Sequence, residues 1–224
     1  MGKDLLFLHG YLSSKEAFTA QIEYFSRFYR VTAIDFLGFG QSSPLNAPFS
    51  VSDYASWTRE ALALLGVKTP TVVAHSFGCR VAIKMASQEA TAFDKLLLTG
   101  AAGVILKRGI TYHAKVKAYR WIKKFAPRYA EKHFGSEEYR SLSPIMKESY
   151  KKIVNEDLRE DASRIENPVL LVVGEKDTTT PLAEANAYLQ VLKNGRLKRM
   201  KGGHFAFAEH PTDFNLIAEE FIYD

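Results

Sequence analysis

The chain has one cysteine, Cys79, in 224 residues. An intramolecular disulfide is therefore excluded. No cluster of cysteine and histidine has the spacing of a metal site, so neither a metal nor a cofactor is expected. Long apolar runs are also missing. The one at the N-terminus, Leu5 to Leu8, is too short for a signal peptide or a membrane span. A cytoplasmic protein with no integral membrane segment is the expectation. Internal repeats, low-complexity stretches and long linkers are absent, as is any recognised nucleic-acid-binding motif, so nucleic-acid binding is disfavoured. Nothing in the sequence indicates an oligomeric state. The charge balance is modest, +5 with a pI near 9.1.

What is present has the rhythm of an α/β protein. Continuous apolar or β-branched runs at Asp4–Leu8, Val31–Ile34, Thr71–Ala74, Lys95–Thr99 and Pro168–Val173 suit strands buried on both faces of a parallel sheet. Arg196–Met200 reads as the last strand. Helical periodicity lies between them. One helix runs near Lys15 to Phe28, with Phe18, Ile22, Phe25 and Phe28 on one face. Another is capped by Ser52-Asp53 and stopped by Gly66. Others run from Pro144 to Val154, from Pro181 to about Leu192, and from Pro211 to Ile222.

The central stretch is Thr71-Val72-Val73-Ala74-His75-Ser76-Phe77-Gly78-Cys79-Arg80. A strand gives way to a helix through a tight turn with Ser76 at its tip. Small residues, Ala74 and Gly78, stand two before and two after it, where neighbouring backbone must pass close. The hydroxyl would then project above the sheet at a helix N-terminus, where N–H groups can stabilise an oxyanion.

This pentapeptide, Ala74-His75-Ser76-Phe77-Gly78, resembles the G-x-S-x-G nucleophile elbow of the α/β-hydrolases, with Ala74 in place of the first glycine. Asp35-Phe36-Leu37-Gly38-Phe39-Gly40-Gln41-Ser42 resembles that family's D-x-x-G-x-G-x-S loop, read here as structural. Gly174-Glu175-Lys176-Asp177 resembles its acid loop and Gly202-Gly203-His204-Phe205 its histidine loop. The resemblance implies a reduced α/β-hydrolase fold: a mostly parallel sheet of about six strands flanked by helices, without the family's first two strands. It implies a catalytic triad in the family's order, with Ser76 as nucleophile, Asp177 as orienting carboxylate and His204 as base and acid. Glu175 is a competing acid in the same loop, and the match to the family loop favours Asp177. The backbone N–H groups of Tyr11, after His9-Gly10, and of Phe77 would form the oxyanion hole. His9 and His75 match positions with structural roles.

The resemblance further implies a small-molecule acyl substrate, and hydrolysis of a carboxylic ester, lactone or thioester through an acyl-enzyme. A carbon–carbon bond hydrolase or lyase with the same triad and a non-enzymatic ligand receptor are the alternatives. The core is expected at residues 1–103 and 162–224, with a helical cap at 104–161. Between Lys107 and Lys132 the sequence holds nine basic residues and one acidic residue, Glu131. That basic face reads either as a solvated surface or as a rim favouring anionic substrates. Docking on anionic lipid is a third reading.

Overall fold

The computed structural model describes residues 4–106 and 137–224. The whole basic stretch from Lys107 to Lys132 therefore lies outside the described residues. Six strands form one sheet: β1 (Asp4–Leu8), β2 (Arg30–Ile34), β3 (Thr71–His75), β4 (Leu96–Thr99), β5 (Val169–Gly174) and β6 (Gly195–Met200). The order is β2-β1-β3-β4-β5-β6, every pair is parallel, and Leu8, Ala74, Leu98 and Leu171 stand side by side across four strands.

Alternation along each strand divides the core into two layers. Leu6, Leu8, Val72, Ala74, Leu96 and Leu98 pack with α2 (Val51–Leu64) and α3 (Phe77–Gln88). Leu5, Phe7, Val73 and Leu97 face the other way, onto α1 (Thr19–Phe25) and the C-terminal helix Pro211–Tyr223. Because both faces of the inner strands β1, β3, β4 and β5 are covered, these read as apolar runs, whereas the edge strand β6 carries Arg196, Lys198 and Arg199.

Several local readings need correction. The helix expected from Lys15 to Phe28 is a 3₁₀ turn, Lys15–Phe18, followed by α1, which stops at Phe25. The Phe25 carbonyl takes the N–H groups of Phe28 and Tyr29 as the chain turns away, so Phe28 is left exposed. The cap of α2 is Ser50, not Ser52: its hydroxyl accepts from Asp53 N–H while the Asp53 carboxylate accepts from Ser50 N–H. Gly66 ends that helix at φ 64°, as expected.

Between β4 and β5 the described residues hold α4 (Glu137–Ser141), α5 (Pro144–Val154) and α6 (Arg159–Ser163). Asp161, the last residue of the expected cap, pairs with Lys84 of α3 at 2.7 Å, both largely buried. After β5 come α7 (Leu182–Leu189), then β6, α8 (Ala206–Glu209) and α9 (Pro211–Tyr223). Among the described residues no helix is long and apolar enough to cross a membrane.

Candidate active site

A parallel sheet puts the ends of all its strands at one edge. The loops after β1 and β3 also leave in opposite directions, because β2 lies beyond β1 and β4 beyond β3. Such a divergence opens a crevice. A cavity of about 740 Å³ lies there, lined by Tyr11 after β1, Ser76 and Phe77 after β3, Thr179 and Thr180 after β5, and His204 after β6.

Ser76 has φ 50° and ψ −106°, a left-handed conformation that non-glycine residues rarely adopt. It is pinned on both sides: its N–H donates to Thr99 O at 3.1 Å and its carbonyl accepts from Cys79 N–H at 3.1 Å. The small neighbours have a visible cause. A Cβ on Gly78 would overlap the Leu8 carbonyl and sit 2.8 Å from His9 O. A Cβ on Gly10 would lie 2.8 Å from His75 Nδ1. Cys79 is fully buried, its Sγ donating to Ala74 O at 3.2 Å.

Across the cavity, His204 Nδ1 lies 2.9 Å from Asp177 Oδ2. The carboxylate is held by more than the histidine. Oδ1 accepts from the N–H groups of Thr179 and Thr180 at 2.8 and 2.9 Å, and Oδ2 accepts from the Thr180 hydroxyl at 2.8 Å. Burial works against the Asp177 charge. The hydrogen bonds from His204 and Thr180 outweigh it and hold the carboxyl below the usual aspartate range. An aspartate accepting from the N–H two residues on is a common turn, so Asp177-Thr178-Thr179-Thr180 carried a local signal for this support. Glu175 points elsewhere: half-exposed, it lies 3.6 Å from Arg199. The structure thus brings Asp177, and not Glu175, to His204. Ser76 and His204 line the same cavity. Among the described residues no hydrogen bond joins them, a contact such sites often make only with substrate bound.

The two N–H groups proposed for the oxyanion are oriented by distinct devices. Phe77 is the first residue of α3, where N–H groups have no acceptor within the helix. Tyr11 is set by His9. The Phe36 N–H donates to His9 Nε2 at 3.1 Å, so Nδ1 carries the proton and donates to Gly10 O at 2.7 Å. That carbonyl belongs to the same planar trans peptide as the Tyr11 N–H, which therefore points the opposite way. Burial keeps His9 below its ordinary pKa, against the pull of Asp35. The Asp35 loop is structural, as expected: its carboxylate takes Lys15 and the Gln41 N–H, and a Cβ on Gly40, at φ 53°, would overlap it.

The expected cap adds Tyr139, Leu142, Tyr150, Ile153 and Val154 to the walls. Sequence periodicity did not single out Arg80, also a lining residue, because polar positions of a helix ordinarily face water. In α3 every residue from Phe77 to Ala86 is buried.

A parallel sheet with a strained serine turn and an Asp–His pair at its carboxyl edge defines an α/β hydrolase architecture. A family model described as alpha/beta hydrolase fold matches residues 4–138, and the chain belongs to that family. It is 23% identical over 234 residues to 3-oxoadipate enol-lactonase 2 of Acinetobacter baylyi, covering 96% of this chain and 86% of that one. An esterase from Exiguobacterium antarcticum superposes with a TM-score of 0.80 at 21% identity, covering 100% of this chain and 92% of the esterase. A meta-cleavage product hydrolase from Pseudomonas fluorescens gives 0.75 at 21% identity, covering 99% and 91%.

Proposed function

We propose that the chain is a serine hydrolase acting on a carboxylic ester, lactone or thioester, with residues 104–161 as a cap over the site. His204 takes the Ser76 proton as Oγ attacks the carbonyl carbon. The resulting oxyanion accepts from the N–H groups of Tyr11 and Phe77. His204 returns the proton to the leaving oxygen or sulfur as that bond breaks, leaving an acyl-Ser76. A water then repeats the sequence, His204 taking its proton, and releases the acid. Asp177 holds the histidine tautomer and stabilises the imidazolium. The observation that carries this reading is the 2.9 Å His204–Asp177 contact, with His204 on the wall of the cavity that Ser76 lines. The relationship to the enol-lactonase supports it, since ring-ester opening is acyl transfer. Carbon–carbon bond cleavage would draw on the same residues, and the likeness to the meta-cleavage product hydrolase is one of fold.

A panel of 4-nitrophenyl esters and aromatic lactones tests the reading. Wild type should turn over at least one of them, and Ser76→Ala should lower that rate by several orders of magnitude. Equal rates in the two proteins would overturn it. So would turnover of none, with the same compounds bound, which is the behaviour of a receptor.

A further inference from the structure

Arg80 is, among the described residues, the only lysine or arginine lining the cavity. It stands four residues after Ser76 on α3, about 6 Å further along the helix axis. It is only 8% exposed. Nη1 donates to Ile153 O at 2.8 Å and Glu156 O at 3.0 Å, just where α5 ends. Among the described residues Nε and Nη2 have no acceptor, and no carboxylate lies within 4 Å. Glu184 and Glu156 act on Arg80 only at longer range, and Glu156 is held by Lys84 at 2.8 Å. Burial lowers the Arg80 pKa, yet a guanidinium in a protein stays charged.

The contacts of Nη1 explain a clamp on α5, since a cation suits a helix C-terminus. They do not explain the other edge. Nε and Nη2 form the side of a guanidinium that grips a carboxylate with two parallel hydrogen bonds. This molecule shows that grip elsewhere, where Arg30 Nε and Nη2 hold the two oxygens of Asp4. A buried charge of this kind is costly unless something matches it.

We propose that the Nε–Nη2 edge of Arg80 binds a carboxylate of the substrate, so that the cavity takes acyl groups ending in a carboxylate: half-esters, half-thioesters or acidic lactones of dicarboxylic acids. The proposal rests on Ser76 being the acylated residue. The helix spacing sets the carboxylate a short carbon chain from the scissile carbonyl.

The test compares mono-4-nitrophenyl adipate with 4-nitrophenyl hexanoate. The readout is the ratio of their kcat/KM values in wild type, Arg80→Met and Arg80→Lys. The ratio should fall about 30-fold in Arg80→Met, the scale of one charged hydrogen-bonded contact. Arg80→Lys, which keeps the charge but not the fork, should fall between. If both esters slow in parallel and the ratio stays at its wild-type value, Arg80 only clamps α5 and the proposal fails. An arm without turnover separates this from failure of the hydrolase reading. Adipate itself should raise the Tm of Ser76→Ala, and should not raise that of Ser76→Ala/Arg80→Lys to the same extent. Equal shifts, or none, would overturn the assignment even if the esters were never cleaved.

Discussion

His75 Nε2 donates a hydrogen bond to the backbone carbonyl of His204 at 3.0 Å. The residue before the elbow serine thus holds the loop that carries the histidine, 129 positions later. The carbonyl can only accept, so the His75 proton sits on Nε2. Its Nδ1 is buried and, among the described residues, has no partner. Burial, and the neighbouring His204, push the pKa of His75 down to about 3.

A pH-dependent stability follows. The folded state refuses a proton that the unfolded chain binds below about 6.5, so stability falls as pH drops from there toward 3. The slope from this residue alone is about 1.4 kcal/mol per pH unit. His9 and Asp177, both held below their ordinary values, act with the same sign, the aspartate only at lower pH. Urea unfolding at pH 7, 6, 5 and 4.5 should show the decline. In His75→Gln, which keeps a donor toward the His204 carbonyl, the slope between pH 6 and 4.5 should be shallower by about that amount. An unchanged slope would contradict the assignment.

His9 is a positioning residue in this account, acting through the Gly10–Tyr11 peptide. His9→Phe should lower kcat between 10- and 100-fold, somewhat less than removal of a direct oxyanion donor. KM should change by no more than about threefold, because the donor matters most when the oxyanion forms. A change confined to KM would show that the peptide is not set by His9.

The two acids of one loop separate cleanly. Asp177→Asn should reduce kcat by up to about 10⁴, the scale of the same change in a serine-protease triad. Glu175→Gln, at an exposed residue, should cost less than twofold. The reverse ranking would move the acid two positions along the chain.

The inner strands were legible because they are buried on both sides: Leu5 to Leu8 and Val169 to Val173 are unbroken apolar runs. The elbow was legible because Ala74, Ser76 and Gly78 answer a local steric demand. Helix ends were less so. Phe28 fits the apolar period of α1, but the chain turns at Phe25, and periodicity carries no information about where a turn falls. Ser52 and Ser50 are both competent caps, and Asp53 at the third helical position decides for Ser50. The contacts that bind the site together were out of reach. His75 to His204, Arg80 to Ile153 and Lys84 to Asp161 join segments that only the folded sheet brings together.

The elbow stores strain that a stability measurement can read. Ser76 sits at φ 50°, where glycine suffers little and other residues more. Ser76→Gly should raise the unfolding free energy by about 1 kcal/mol while abolishing turnover. Ser76→Ala should abolish turnover without that gain. Equal stabilities for the two variants in denaturant titrations would show that the turn is relaxed.

The most direct measurement is the site of covalent capture. Wild type is treated with a fluorophosphonate, and the modified peptide is mapped by mass spectrometry. One adduct is expected, on Ser76, with labelling lost in Ser76→Ala and strongly slowed in His204→Gln, which lacks the base. An adduct on any other residue, or labelling that persists in Ser76→Ala, would contradict the account.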